Sequence, residues 1–244
     1  GPYDAALRKI FGPPKDLAEY LARGVLLSAD AHRAMYEAAN HRMWDITSGF
    51  SQWKLNACWP SVEWQLYDWY LRPLVSYYYV KKACEPLHVQ LTPLDGAVTV
   101  VNHRLEPQEK LQVRARVYDL QSKLQWQKQS RVDMPANGYR EVFAIPAARD
   151  ASPVRFVQLE LADAAGEVRS RNFYWLPAKD STDLGVLARL PAVRLKTSSL
   201  LRREQSGWRA EVQVENPTER VALLVHLALM HGAGGDEILP VLWD

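Results

Sequence analysis

The residues best suited to chemistry are aromatic: five of the nine tryptophans, Trp44, Trp53, Trp59, Trp64 and Trp69, fall between positions 44 and 69. Most tryptophans and tyrosines fill cores. Their other use is sugar recognition, in which an indole face packs on the apolar C–H face of a pyranose while flanking amides and carboxylates bond its hydroxyls. Trp53 and Trp59 have the best positions for this, within and just after a strand-like run. Breaking a glycosidic bond needs two carboxyl groups facing each other across it. The acids of this region are Asp45, Glu63, Asp68 and Glu85, and no two of them sit at two strand ends. Each reads as a surface or structural carboxylate, and no catalytic pair is expected. The histidines at 32, 41, 88, 103, 226 and 231 show no metal-ligand spacing. The serines lack a Gly-x-Ser-x-Gly elbow, and Gly232-Ala233-Gly234-Gly235 reads as a hairpin loop rather than a phosphate cradle.

The elements that must position these aromatics follow from periodicity. Asp16, with Glu19 three residues on, caps a helix expected to run to about Arg42. Ser48 to Leu55 reads as a buried strand around Phe50, Trp53 and Leu55. A helix-like stretch from about Val62 to Lys82 follows, interrupted by Pro73. Helix, strand and helix make one and a half α/β repeats, too little for a closed sheet.

From about Pro86 the texture changes to period-two alternation: residues 87–92, 97–101, 111–117, 154–161 and 168–175 read as half-buried antiparallel strands. Asp95-Gly96, Asn137-Gly138 and Ala165-Gly166 supply turns. Six or seven short strands in some 90 residues indicate an immunoglobulin-like sandwich. After a polar linker, Lys179 to Asp183, strands are expected at 192–197, 208–214 and 221–229, with a turn at Asn216-Pro217. This second sandwich reads as unfinished at Asp244. With Gly1 an unnatural start, the expectation is a fragment of a longer protein.

The bulk numbers exclude several classes. The 244 residues carry 30 basic and 28 acidic side chains, interspersed, for a net charge of +2, and no basic stripe could track phosphates. No nucleic-acid partner is expected. No apolar run approaches the length of a membrane span. Cys58 and Cys84, too few for a disulfide framework, read as buried thiols. The chain carries no address, which leaves a periplasmic or secreted location open.

Three segments carry a family resemblance. They are Gly49-Phe50-Ser51-Gln52-Trp53-Lys54-Leu55-Asn56-Ala57-Cys58-Trp59-Pro60-Ser61, Leu66-Tyr67-Asp68-Trp69-Tyr70-Leu71-Arg72-Pro73 and Lys81-Lys82-Ala83-Cys84-Glu85-Pro86-Leu87-His88-Val89-Gln90. They resemble the end of the catalytic domain in glycoside hydrolase family 2, in the branch of exo-β-D-glucosaminidases and mannosylglycoprotein-type β-mannosidases. Leu239-Pro240-Val241-Leu242-Trp243-Asp244 is similar to part of that branch's C-terminal immunoglobulin-like domain.

The resemblance implies a multidomain chain: residues 1–84 end a (β/α)8 barrel, with its last helices and strand eight, and two immunoglobulin-like β-sandwiches follow at 85–178 and 179–244, the second incomplete. It implies a retaining β-glycosidase that hydrolyses terminal β-linked hexosyl residues of oligosaccharides, either a β-mannosidase or an exo-β-D-glucosaminidase, without metal or organic cofactor. Both catalytic glutamates would lie upstream of Gly1, on the part of the polypeptide that completes the barrel, so this chain contributes no catalytic residue. Trp53 matches the strand-eight tryptophan beneath the non-reducing sugar, with Asn56 and Trp59 in the loop above it. The alternative is a non-catalytic carbohydrate-binding or scaffolding protein.

Overall fold

The structure is a computed structural model that describes residues 1–61, 64–147, 152–177, 184–205 and 207–243. Three helices come first, α1 (Pro2–Phe11), α2 (Leu17–His41) and α3 (Val75–Ala83). Helix α2 starts where the sequence places it: the Asp16 carboxylate accepts the Glu19 N–H at 2.8 Å, and the Glu19 carboxylate accepts the Lys15 N–H at 2.7 Å. Helix α1 was not expected, although Leu7, Ile10 and Phe11 recur at helical spacing. Leu7 and Phe11 pack with Val154, Phe156, Trp175 and Leu184 in a small apolar cluster.

The stretch expected as one helix from 62 to 82 is helical only over α3. Pro73 removes a backbone donor there. Upstream of it, the Asp68 carboxylate accepts the N–H groups of Tyr70 at 2.8 Å and Arg72 at 2.9 Å, an alternative that competes with the helical ladder. Trp64 and Leu71 also take positive φ, at 67° and 63°. Val62 and Glu63 lie outside the described residues. The expected strand at 48–55 forms no ladder with any strand among the described residues, and it is not buried: Phe50, Trp53 and Leu55 are all exposed.

Seven strands then build a two-sheet sandwich. They are β1 (Leu87–Leu91), β2 (Ala97–Asn102), β3 (Gln108–Tyr118), β4 (Leu124–Met134), β5 (Gly138–Ala144), β6 (Val154–Ala162) and β7 (Val168–Pro177). One sheet has the order β1-β2-β5 and the other β4-β3-β6-β7, all neighbours antiparallel. The core between them is Val89, Val100, Val113, Ala115, Leu159, Leu161 and their neighbours, each large aliphatic side chain contributing roughly 1.5–3 kcal/mol. Gly96 turns β1 into β2 at φ 76°, and a Cβ there would meet the Ile145 carbonyl oxygen at 2.5 Å.

The Lys179 to Asp183 linker lies outside the described residues. Beyond it come a short 3-10 helix (Gly185–Arg189) and an antiparallel ribbon of β8 (Lys196–Glu204) and β9 (Gly207–Glu215). The strand expected at 192–197 therefore starts later, and that expected at 208–214 is β9. Residues 221–229 make no ladder, and Leu224 breaks the run with a positive φ of 56°. Asn216 forms the expected turn, its amide donating to the Arg220 carbonyl oxygen at 2.6 Å. The glycines at 232–235 lie in a hairpin-like loop closed by a Met230–Glu237 bridge.

One expectation fails in an informative way. Strands β1 and β2 are buried on both faces rather than one, because the last turns of α2 cover the outer face. Arg33, Glu37 and His41 recur every four residues, one helical turn apart, and all face the sandwich. Glu37, 6% exposed, accepts from Asn172 Nδ2 at 2.8 Å and from the Tyr174 hydroxyl at 2.9 Å, and His88 Nε2 lies 3.3 Å away. Its backbone carbonyl accepts from Gln90 Nε2 at 2.7 Å. The other ring nitrogen of His88 faces Glu85 at 3.3 Å, which also accepts the Ser170 hydroxyl at 2.6 Å. The Arg33 guanidinium donates to the Phe173 carbonyl oxygen at 2.8 Å and lies 4.4 Å from the centre of the Tyr174 ring.

Alternate residues of β7 also close the free edge of β1. Ser170 Oγ accepts the Val89 N–H, Asn172 donates to the Val89 carbonyl oxygen, and the Tyr174 hydroxyl accepts the Leu91 N–H.

Replacing Glu37 with Ala leaves Tyr174, Asn172 and His88 buried without their acceptor, an expected loss of about 3 kcal/mol or more, read by urea denaturation at low protein concentration. Both ring nitrogens of His88 face carboxylates, so both carry protons. Burial opposes that charge, but the hydrogen bonds to Glu37 and Glu85 outweigh it and raise the pKa above 6.5. The His88 contribution is therefore complete below pH 6.5 and is lost as pH rises through the raised value. Burial pushes the Glu85 pKa up, but hydrogen bonds from His88 and Ser170, with Lys82 nearby, bring it below 4.5, so its contribution is lost as pH falls through that lowered value. Denaturation midpoints across pH 4–9 should peak between those limits, and replacing His88 with Gln should flatten the alkaline side.

Candidate functional site

The loop from 48 to 74 carries the aromatic cluster, and α2 holds one end of it. His32 is 4% exposed, and its Nδ1 lies 2.7 Å from the Ser28 carbonyl oxygen, which can only accept. With Nδ1 donating there, a ring carrying a single proton offers Nε2 as acceptor to Gln52 Nε2 at 3.1 Å. One turn further along, Tyr36 meets Phe50 edge to face, with ring centres 4.6 Å apart. Phe50 and Gln52 thus point at the helix. This is the alternation of a strand without the ladder.

The far end is held by its own backbone. Lys54 N–H donates to the Trp64 carbonyl oxygen at 2.8 Å, and Leu66 and Tyr67 N–H both donate to the Leu55 carbonyl oxygen at 3.0 Å. Gln65, fully buried, donates to the Ser61 carbonyl oxygen at 2.7 Å, and the Ser76 hydroxyl donates to the Gln65 carbonyl oxygen at 2.8 Å.

On this frame Trp53 is 81% exposed and Trp59 62% exposed. The Lys54 ammonium lies 5.4 Å from the centre of the Trp59 ring. Asn56 is exposed between them and its amide lies 3.4 Å from the Ala57 carbonyl oxygen. Trp44, Ile46, Phe50, Leu55, Trp64 and Trp69 are exposed as well. Trp44 and Asp45 also bind the sandwich, through the Asn137 carbonyl oxygen at 3.0 Å and the Tyr139 hydroxyl at 2.7 Å.

The carboxylates of the region have structural partners: Asp45 holds Tyr139, Asp68 caps its own turn and Glu85 bridges Ser170 and His88. Glu63 lies outside the described residues. Cys58 and Cys84 are free and exposed rather than buried, since they fall on the irregular loop and at the C-cap of α3, where no core closes over them. A cleft of about 1060 Å³ lies between α2, α3, β7 and residues 221–243, walled by Leu26, Tyr78, Tyr79, Phe173, Trp175 and Trp243. Trp53, Asn56 and Trp59 do not line it. Reading the sequence missed His32, Tyr36 and Gln52; the available signal was four-residue spacing on the helix opposite two-residue spacing on the loop.

Comparison with known proteins places two modules along the chain. Residues 96–180 match the model of a Mannosidase Ig/CBM-like domain, and residues 172–244 that of an Exo-beta-D-glucosaminidase Ig-fold domain. An exo-β-D-glucosaminidase of Arthroderma benhamiae is 27% identical over 99% of this chain and 29% of its own length. A mannosylglycoprotein endo-β-mannosidase of Lilium longiflorum is 27% identical over 85% of the chain and 22% of its own length. The solved structure of an exo-chitosanase of Amycolatopsis orientalis superposes with a TM-score of 0.81 over 89% of this chain and 28% of that one, at 24% identity, a likeness of fold. The chain thus spans under a third of the length of these relatives.

An apolar face this large is unusual on a free surface. The chain by itself should self-associate, giving a weight-average mass above its 27.8 kDa in multi-angle light scattering that rises with concentration. Replacing Trp53, Trp59 and Leu55 together with Ser should move it toward monomer.

Proposed function

This chain belongs to the exo-β-D-glucosaminidase and β-mannosidase branch of glycoside hydrolase family 2, and we propose that its intact parent is a retaining β-glycosidase of which it is the C-terminal portion. On this reading residues 1–84 finish a (β/α)8 barrel and two immunoglobulin-like domains, 85–178 and 179–244, brace it from outside.

The observation that carries the reading is the alternation at 50–53. In a (β/α)8 barrel, outward side chains of a strand meet the surrounding helices and inward ones face the interior. Phe50 and Gln52 meet α2, which leaves Trp53 on the opposite face, 81% exposed. Residues 48–55 are then strand eight awaiting its neighbours, and the exposed aromatic face is where the upstream part of the polypeptide docks. Asn56 and Trp59 sit just past the C-terminal end of that strand, the rim at which barrels of this kind place their active sites.

Trp53 lays its indole beneath the non-reducing sugar of an oligosaccharide and excludes water from one face of it, while Asn56 and Trp59 border the same subsite. One upstream carboxylate attacks the anomeric carbon as the other protonates the leaving oxygen, and water then releases the glycosyl-enzyme. Trp53 takes no part in proton transfer. A β-D-glucosaminide is favoured over a β-D-mannoside, because the match across the C-terminal module is to the glucosaminidase Ig-fold domain.

The test is hydrolysis of p-nitrophenyl β-D-glucosaminide and β-D-mannoside by the intact parent. Turnover of the former is expected, with no turnover by this chain alone. Replacing Trp53 with Ala should lower kcat/KM on the order of tenfold to a hundredfold, the scale of one buried aromatic contact. No turnover of either substrate refutes the assignment.

A further inference from the structure

We propose that His32 and Gln52 are positioning residues that set the orientation of the Trp53 indole, an inference resting on the reading of Trp53 as the floor of the sugar subsite. Trp53 is 81% exposed in this chain, so what these residues contribute to its orientation is transmitted through the backbone on either side. On one side Lys54 N–H is tied to the Trp64 carbonyl oxygen at 2.8 Å. On the other side stands Gln52, held at 3.1 Å by His32 Nε2.

The contact is specific in its chemistry. The Ser28 carbonyl oxygen, 2.7 Å from Nδ1, dictates the tautomer of His32 and thereby makes Nε2 an acceptor. Gln52 Oε1 is buried with no hydrogen-bond partner among the described residues, so His32 alone fixes which way the amide faces. A rotation of the peptide at Gln52 would break this bond, pull Phe50 from the edge of Tyr36 at 4.6 Å and tilt the next side chain, Trp53. His32 and Tyr36 project from neighbouring turns of α2, whose other face is bolted to the sandwich by Glu37, so the indole is referred to a rigid element rather than to its loop.

The test is a double-mutant cycle in the intact parent, with kcat and KM measured on the p-nitrophenyl glycoside the enzyme turns over and the thermal midpoint followed in parallel. His32→Ala and Gln52→Leu are each expected to lower kcat/KM about tenfold, mainly through KM, the scale of a modest misplacement of a substrate-positioning group. The double variant should be no worse than either single one. His32→Gln, which keeps an acceptor of similar reach, should recover activity to within about threefold.

Multiplying losses, or kcat/KM unchanged at an unchanged midpoint, overturn the inference. So does an activity loss that tracks the midpoint and is not rescued by His32→Gln. If His32→Ala fails to fold, Gln52→Leu at a normal midpoint decides alone, since unaltered kcat/KM there sinks the proposal. Trp53→Ala assayed alongside separates the two levels: a negligible effect refutes the subsite reading, whereas a large effect beside silent His32 and Gln52 variants refutes only the positioning.

Discussion

A carboxylate taken out of water must be repaid in hydrogen bonds, and Glu37 is repaid by three groups on two strands: the Tyr174 hydroxyl and Asn172 amide from β7 and the His88 ring from β1. If the helix moves away, the Tyr174 hydroxyl and His88 Nε2 each lose their acceptor inside a closed interior. The result is a joint with one permitted geometry. An apolar contact between α2 and the sandwich would tolerate sliding by a fraction of a turn; a buried ion with directional partners does not. The same groups close the edge of β1 against β7, so the integrity of the sandwich and its attachment to the helix are one network.

Helix α2 consequently has two faces with different duties. Arg33, Glu37 and His41 dock the sandwich, while His32 and Tyr36 hold the segment that carries Trp53. In the proposed parent enzyme, a module that contributes no reacting group would still define where the Trp53 indole stands, because the helix between them is held on both sides. On that proposal the first immunoglobulin-like domain has a physical part in a reaction carried out elsewhere. The ribbon of β8 and β9 lacks this kind of anchorage, with nearly every residue exposed, as befits two strands of a sandwich without a facing sheet.

The sandwich was legible from alternation and turn dipeptides, because a sheet with one wet face writes its period into the sequence. Where the reading failed, the cause was a neighbour distant in sequence. His88, Gln90 and Thr92 look like the solvent face of a half-buried strand; α2, some 50 residues earlier, turns that face into the polar interior. The long helix assigned to 62–82 failed for a local reason, since the Asp68 turn and Pro73 compete with it and aromatic spacing alone does not reveal which wins.

The strands of the first sandwich, the capped start of α2, the change of texture near Pro86 and the aromatic cluster around Trp53 were determined by the sequence alone, because propensity, capping and binary pattern act over a few residues. Only the tertiary structure decided that Glu37 is the buried centre of the joint, that Ser170, Asn172 and Tyr174 seal an edge, and that His32 reaches Gln52. Those facts depend on which surfaces meet, and a polar residue on a helix face carries no local mark telling whether water or another element will cover it.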